Sequence, residues 1–165
     1  LKNNQNQSLS TVSAGGMQVQ KSVFNKDQGY NVVNGQKIIL SEEELEQALT
    51  DSNLFSELSY DYEIVKLVGS STIDDQKVYE IKISDNNTEY YSIETGLKVK
   101  EVENQLIDGN QITIETTIKE YQEVNGILIP SEINQVTPAV PIPGGITIKF
   151  NTIELHVESS DSDFN

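Results

Sequence analysis

Short runs of Ile, Val, Thr and Tyr follow one another from Met17 onward, each closed by Gly, Asn, Asp or Pro after about 8 to 12 residues. Apolar residues alternate within these runs, and a period of two fits a strand rather than one face of a helix. Segments of this kind extend from Met17–Phe24 to Ile146–Val157 and make eight or nine strands. The links are short, whereas a parallel pair needs a crossover of about a dozen residues, so consecutive strands should pair antiparallel as a meander. Asn34-Gly35 is the strongest hairpin signal, because both residues tolerate the positive φ of a type I′ turn. Thr95-Gly96, Asp108-Gly109 and Asn125-Gly126 punctuate the later strands.

One helix breaks the pattern. Ser41-Glu42-Glu43-Glu44 reads as a capping box, with Ser41 as N-cap, Glu44 at the third helical position and three carboxylates where the helix dipole favours them. Leu45, Ala48 and Leu49 share a face, and Leu54, Phe55 and Leu58 continue the apolar run, so this face needs a sheet to cover. Several strands also change phase partway. Ile146, Ile148 and Phe150 have one parity and Ile153, Leu155 and Val157 the other, which demands a bulge or bend near Asn151-Thr152. The same slip occurs between Val99 and Val102 and between Ile118 and Tyr121. Bulges bend strands and increase their twist. The expectation is a strongly curved antiparallel sheet, a half-barrel, with the helix packed in its concave face.

The chain has 165 residues and no cysteine, which removes disulfides, thiolate nucleophiles and Cys-ligated metals. Its basic residues are all lysines, and a formal charge of −15 would repel a phosphate backbone, so nucleic acid is excluded as a partner. No stretch approaches the roughly 18 to 20 apolar residues that span a bilayer. Residues 1–16 are polar, begin at Leu1 without Met and read as a linker from a longer precursor; residues 17–165 read as one domain.

Candidate chemistry is sparse. His156 is the sole histidine and sits two residues from Glu158, which strand alternation alone explains. Glu101, Glu103, Glu115 and Glu120 read as a solvated face, and Asp85-Asn86-Asn87-Thr88-Glu89 as a turn rather than a calcium loop. No catalytic residue, metal site or cofactor follows from these residues. Tyr60, Tyr62, Tyr79, Tyr90, Tyr91 and Tyr121 fall in expected strands, where some can line a concave apolar surface. Pro138-Ala139-Val140-Pro141-Ile142-Pro143-Gly144-Gly145 is a stiff apolar loop suited to touching a ligand or partner.

The run Tyr90-Tyr91-Ser92-Ile93-Glu94-Thr95-Gly96-Leu97 resembles the Asp-x-x-Thr-Gly-Leu hairpin of LolA/LolB-like outer-membrane lipoprotein-sorting proteins, and Tyr121-Gln122-Glu123-Val124-Asn125-Gly126-Ile127-Leu128-Ile129-Pro130 resembles their Tyr-x-x-Val-Asn-Gly-Ile-x-Phe-Pro segment. Phe24 to Tyr30, Ser41 to Leu49 and Phe55-Ser56-Glu57-Leu58 are similar to segments of the C-terminal non-catalytic domain of Bacteroidota pitrilysin-type (insulinase-family) zinc proteases. The resemblance implies a periplasmic or outer-membrane-associated half-barrel that binds an acyl chain, a lipoprotein or an envelope protein. The arginine of the lipoprotein carriers and the His-x-x-Glu-His of the proteases have no counterpart here.

The resulting expectation is a monomeric, non-enzymatic envelope domain that binds a hydrophobic ligand or protein partner, as an accessory domain of a zinc-protease-like protein. Tyr60, Tyr62, Tyr79, Tyr91, Phe55, Val140 and Ile142 are the expected ligand contacts. The alternative is a structural or chaperone-like domain whose core is filled by its own side chains.

Overall fold

The computed structural model of the chain describes residues 7–14, 17–53, 55–107, 109–138, 142–155 and 164. They form a mainly β, antiparallel structure of eleven strands and one α-helix. Strands β1 (Ser8–Ala14), β2 (Met17–Phe24), β3 (Gly29–Val33) and β4 (Gln36–Ile39) make a four-stranded sheet in sequence order. Strands β5 (Lys66–Ile73), β6 (Gln76–Lys82), β7 (Asn87–Ser92), β8 (Lys98–Ile107), β9 (Asn110–Val124), β10 (Ile127–Val136) and β11 (Ile146–Lys149) make a seven-stranded sheet, again with every strand beside its sequence neighbour. The chain divides into two compact units, Leu1–Ser59 with Val157–Asn165, and Tyr60–His156. Among the described residues no helix is long and apolar enough to cross a membrane.

The strand count exceeds the eight or nine expected, partly because Ser8–Ala14 is a strand and not a linker. Its Ser and Thr hide the apolar alternation that marks the other strands, yet it pairs along β2 from Ser8 opposite Phe24 to Ala14 opposite Met17. The hairpin at Asn34-Gly35 forms as expected, with φ of 50° and 81°. Asn125-Gly126 repeats it at 53° and 81°. Asp74-Asp75 also holds positive φ at both positions without a glycine, consistent with the αL tolerance of Asp.

The helix α1 (Glu42–Asp51) begins at the expected capping box: the Glu44 amide donates to Ser41 Oγ at 3.3 Å, and the Ser41 amide donates to Glu44 Oε2 at 2.7 Å. In this first unit Val23, Leu45 and Phe164 are buried. Gly29 of β3 makes room for the close approach, since a Cβ there would lie 2.8 Å from the Leu40 side chain and 3.2 Å from that of Leu45. Leu58, expected to extend the apolar face, is instead 82% exposed in a 3-10 turn at Ser56–Ser59.

In the seven-stranded sheet, two of the phase slips are bulges. Tyr90 pairs with Lys100 but Tyr91 pairs with Lys98, leaving Val99 unmatched. On β9, Ile118 pairs with Ile133 and Glu120 with Glu132, leaving Lys119 unmatched. The third slip has another cause: β11 ends at Lys149, so Ile153 and Leu155 lie beyond the strand. A further bulge at Val68 divides β5. This sheet does not close on itself, and β5 and β11 are its edges.

Candidate functional site

The register of the seven-stranded sheet aligns Leu67, Ile81, Glu89, Glu101, Thr116, Gln135 and Ile146 in one row across all seven strands. Cross-strand neighbours share a face, so the row ends in apolar side chains and is polar in its middle. On the same face Ile114 lies to one side of the row, and Ile118, Ile133 and Ile148 to the other. The opposite face carries Lys100 paired with Glu115 at 2.5 Å and Lys149 paired with Glu132 at 2.7 Å.

Glu89 is the centre of the polar row and is fully buried. A carboxylate taken from water must be compensated by donors, and three converge here. The Tyr60 hydroxyl and the Lys98 ammonium donate to Oε1 at 2.5 and 2.7 Å, and the Tyr91 hydroxyl donates to Oε2 at 2.5 Å. Tyr91 reaches Glu89 because i and i+2 of β7 share a face. Lys98 reaches it because Val99 is left out of the ladder; were Val99 paired, Lys98 would lie on the same face as Lys100. Beside that bulge, the Tyr121 hydroxyl donates to the Lys98 carbonyl at 2.7 Å.

Burial pulls the Lys98 ammonium down, but the charge and hydrogen bond of Glu89, with help from Glu101 and Tyr60, more than offset it and leave the pKa well above the usual lysine range. Glu101 is pushed up, chiefly by burial, against the lowering effects of Lys98 and of the Asn87 amide, which donates to it at 2.7 Å. The expectation that Glu101 belongs to a solvated face is therefore corrected: its side chain is only 29% exposed. Three donors on the Glu89 carboxyl form a cluster that ties β7, β8 and the segment before β5 together.

The expected ligand contacts separate. Tyr60 and Tyr91 meet on Glu89, so their hydroxyls serve a charged group rather than an apolar surface. Tyr79 pairs across from Tyr91 and is 42% exposed. Tyr60 and Tyr62 precede β5 rather than lying in it, and Tyr62 is 75% exposed in a turn. Phe55 is half-buried in the first unit. Ile142 is 51% exposed, while Val140 and His156 lie outside the described residues. Asp85 ion-pairs with Lys82 at 2.7 Å while Glu89 turns into its cluster, so the Asp85–Glu89 tract does not converge. Sequence reasoning missed Glu89 and Lys98. The one available signal was the slip at Val99.

No protein-family model and no curated protein matches the sequence. Among solved structures, the chain is similar to a DUF1329 family protein from Desulfovibrio piger, with a TM-score of 0.63 and 13% identity over 93% of this chain and 72% of that one. It is also similar to a LolA superfamily protein from Nitrosomonas europaea, with a TM-score of 0.58 and 14% identity over 99% of this chain and 78% of that one. Eleven antiparallel strands, one helix and these likenesses together make the fold LolA-like.

Proposed function

We propose that this protein is a non-enzymatic domain of the bacterial cell envelope that binds a hydrophobic ligand, an acyl chain or the lipid of a lipoprotein, on one face of its seven-stranded sheet. The observation that carries the reading is the apolar flank of that face. Leu67 is 65% exposed, Tyr79 42%, Ile148 41% and Ile146 37%, where a sheet with no ligand would be expected to bury such residues. The LolA-like fold supports the same ligand class, and Tyr62, Tyr79 and Ile142 are the proposed contacts in this unit. The envelope location and an accessory role beside a zinc-protease-like domain rest on the motif resemblance.

Delipidated protein titrated with a dansyl fatty acid tests the proposal, together with mass spectrometry of lipid carried through purification. Saturable binding that Ile148→Asp abolishes is the expected result. No saturable binding and no retained lipid would overturn it. That outcome would favour a self-sufficient structural sheet, a reading supported by the satisfied Glu89 cluster and by the Gln135 amide donating to Thr116 Oγ1 at 3.4 Å. A periplasmic-reporter fusion tests the location.

A further inference from the structure

β5 is the long edge of the seven-stranded sheet, and its far side meets no strand among the described residues. Sheet edges are ordinarily shielded by charge, proline or brevity. β11 follows that rule, with four residues and Lys149. β5 does not: Leu67-Val68-Gly69-Ser70-Ser71-Thr72-Ile73 carries neither charge nor proline, and every residue from Lys66 to Thr72 is exposed. Its bulge at Val68 lies near one end and leaves Gly69 to Ile73 in unbroken register with β6. The two-residue turn Asp74-Asp75, with positive φ at both positions, makes Ile73 and Gln76 a hydrogen-bonded pair. Alternation then turns the amide and carbonyl of Thr72 and of Ser70 away from β6, toward the open side. Gly69 meets no demand for glycine inside the chain, since its φ is not positive and a Cβ there would touch nothing within 4 Å. A strand glycine of that kind suits the close approach of another backbone.

We infer that β5 is a dimer interface, at which a second copy of this chain pairs antiparallel about a twofold axis at Ser71. The strand is complementary to itself in that orientation. Ser70 of each copy lies opposite Thr72 of the other, so their outward amides and carbonyls exchange hydrogen bonds on both sides of the axis. Ile73 of each copy covers Gly69 of the other, and the small Ser71 side chains meet at the centre. The charges match as well. Lys66 of each copy falls beside the Asp74-Asp75 turn of the other, whereas a parallel pairing would set like charges together. In about 0.15 M salt, screening over roughly 8 Å mutes the repulsion of the distant acidic surface and leaves this contact attractive. The closed twofold uses the β5 edge of both copies, so association through it stops at two. A reversible dimer thus replaces the monomer expected from the sequence. Edge pairing leaves both faces of the sheet open, which makes the inference independent of the ligand reading.

Sedimentation velocity of the full chain from about 1 to 300 μM tests the inference, with amide hydrogen exchange by NMR at both ends of that range. A monomer–dimer equilibrium is expected. The Ser70 and Thr72 amides should slow as the dimer forms, while those of Ser71 and Ile73, already bonded to β6, change little. Ser71→Lys sets two ammonium groups face to face at the axis and should weaken the dimer roughly tenfold, with the thermal melt of the dilute protein kept. Ser70→Pro removes an outward donor and no bond to β6, and should act in the same direction. Monomer mass throughout, growth beyond two copies, or a dimer indifferent to both variants would overturn the inference. So would a monomer whose Ser70 and Thr72 amides are protected only by an added Val/Thr strand peptide, which would mark β5 as the seat of a foreign partner.

Discussion

Glu89 and Lys98 are the two residues whose replacement should cost most. Glu89 has no exposed surface, so removing its cationic partner strands a charge in the interior. Lys98→Met is expected to destabilise the second unit by about 3–5 kcal/mol. Adding Glu89→Gln should recover a large part of that loss, because no unpaired charge remains; urea melts of the two single variants and the double variant measure the coupling. The raised Lys98 pKa makes its stabilisation complete below the ordinary lysine range and lost only as pH climbs through the folded value, so it does not titrate near neutrality. Glu101 has the same sign in a lower pH window. Its raised pKa means that its favourable contribution is complete below the ordinary carboxylate range and disappears as pH rises through the folded value. Glu101→Gln, which keeps an oxygen for Asn87, should therefore raise stability at pH 7 relative to wild type and flatten the pH dependence above about 4.5. Melting temperatures across pH 4 to 8 check this, and an unchanged profile would contradict the assigned burial.

At the level of the element, α1 was legible in full. Ser41 and Glu44 encode the start of the helix locally, and the reciprocal bonds form as the spacing requires. The Asn-Gly hairpins were legible for the same reason, since two consecutive positive φ angles are a property of the turn residues themselves. The bulges on β8 and β9 were legible only as breaks in apolar parity. What each break accomplishes was not, because Lys98 faces Glu89 through a partner strand chosen by the whole sheet. Deleting Val99 removes the bulge yet keeps Lys98 opposite Tyr91 and on the Glu89 face, so it should cost much less stability than Lys98→Met, which urea melts of the two variants will show. β1 stayed hidden because its Ser and Thr carry hydroxyls where other strands carry branched alkyl groups, and pairing with β2, not propensity, makes it a strand.

For the molecule as a whole, the connectivity was legible and the division into two sheets was not: short links dictate a meander, but nothing local marks where hydrogen bonding stops after β4. The ligand contacts were legible as residue types and not as places, since the sequence marks Tyr60 and Tyr91 as aromatic rings while the fold uses their hydroxyls. Charge acts at this scale too. With 26 acidic against 11 basic residues and a pI near 4.3, the protein is expected to stay dispersed at pH 7 and to associate as pH approaches that value, which light scattering will show. The Glu89 cluster also has an optical consequence. The chain has seven tyrosines, four phenylalanines and no tryptophan, so phenol rings dominate its near-ultraviolet emission. Two of those rings donate to one carboxylate, a bond that quenches tyrosine emission. Unfolding the second unit should therefore brighten the protein, giving an unlabelled signal that reports on Glu89 and its neighbours directly.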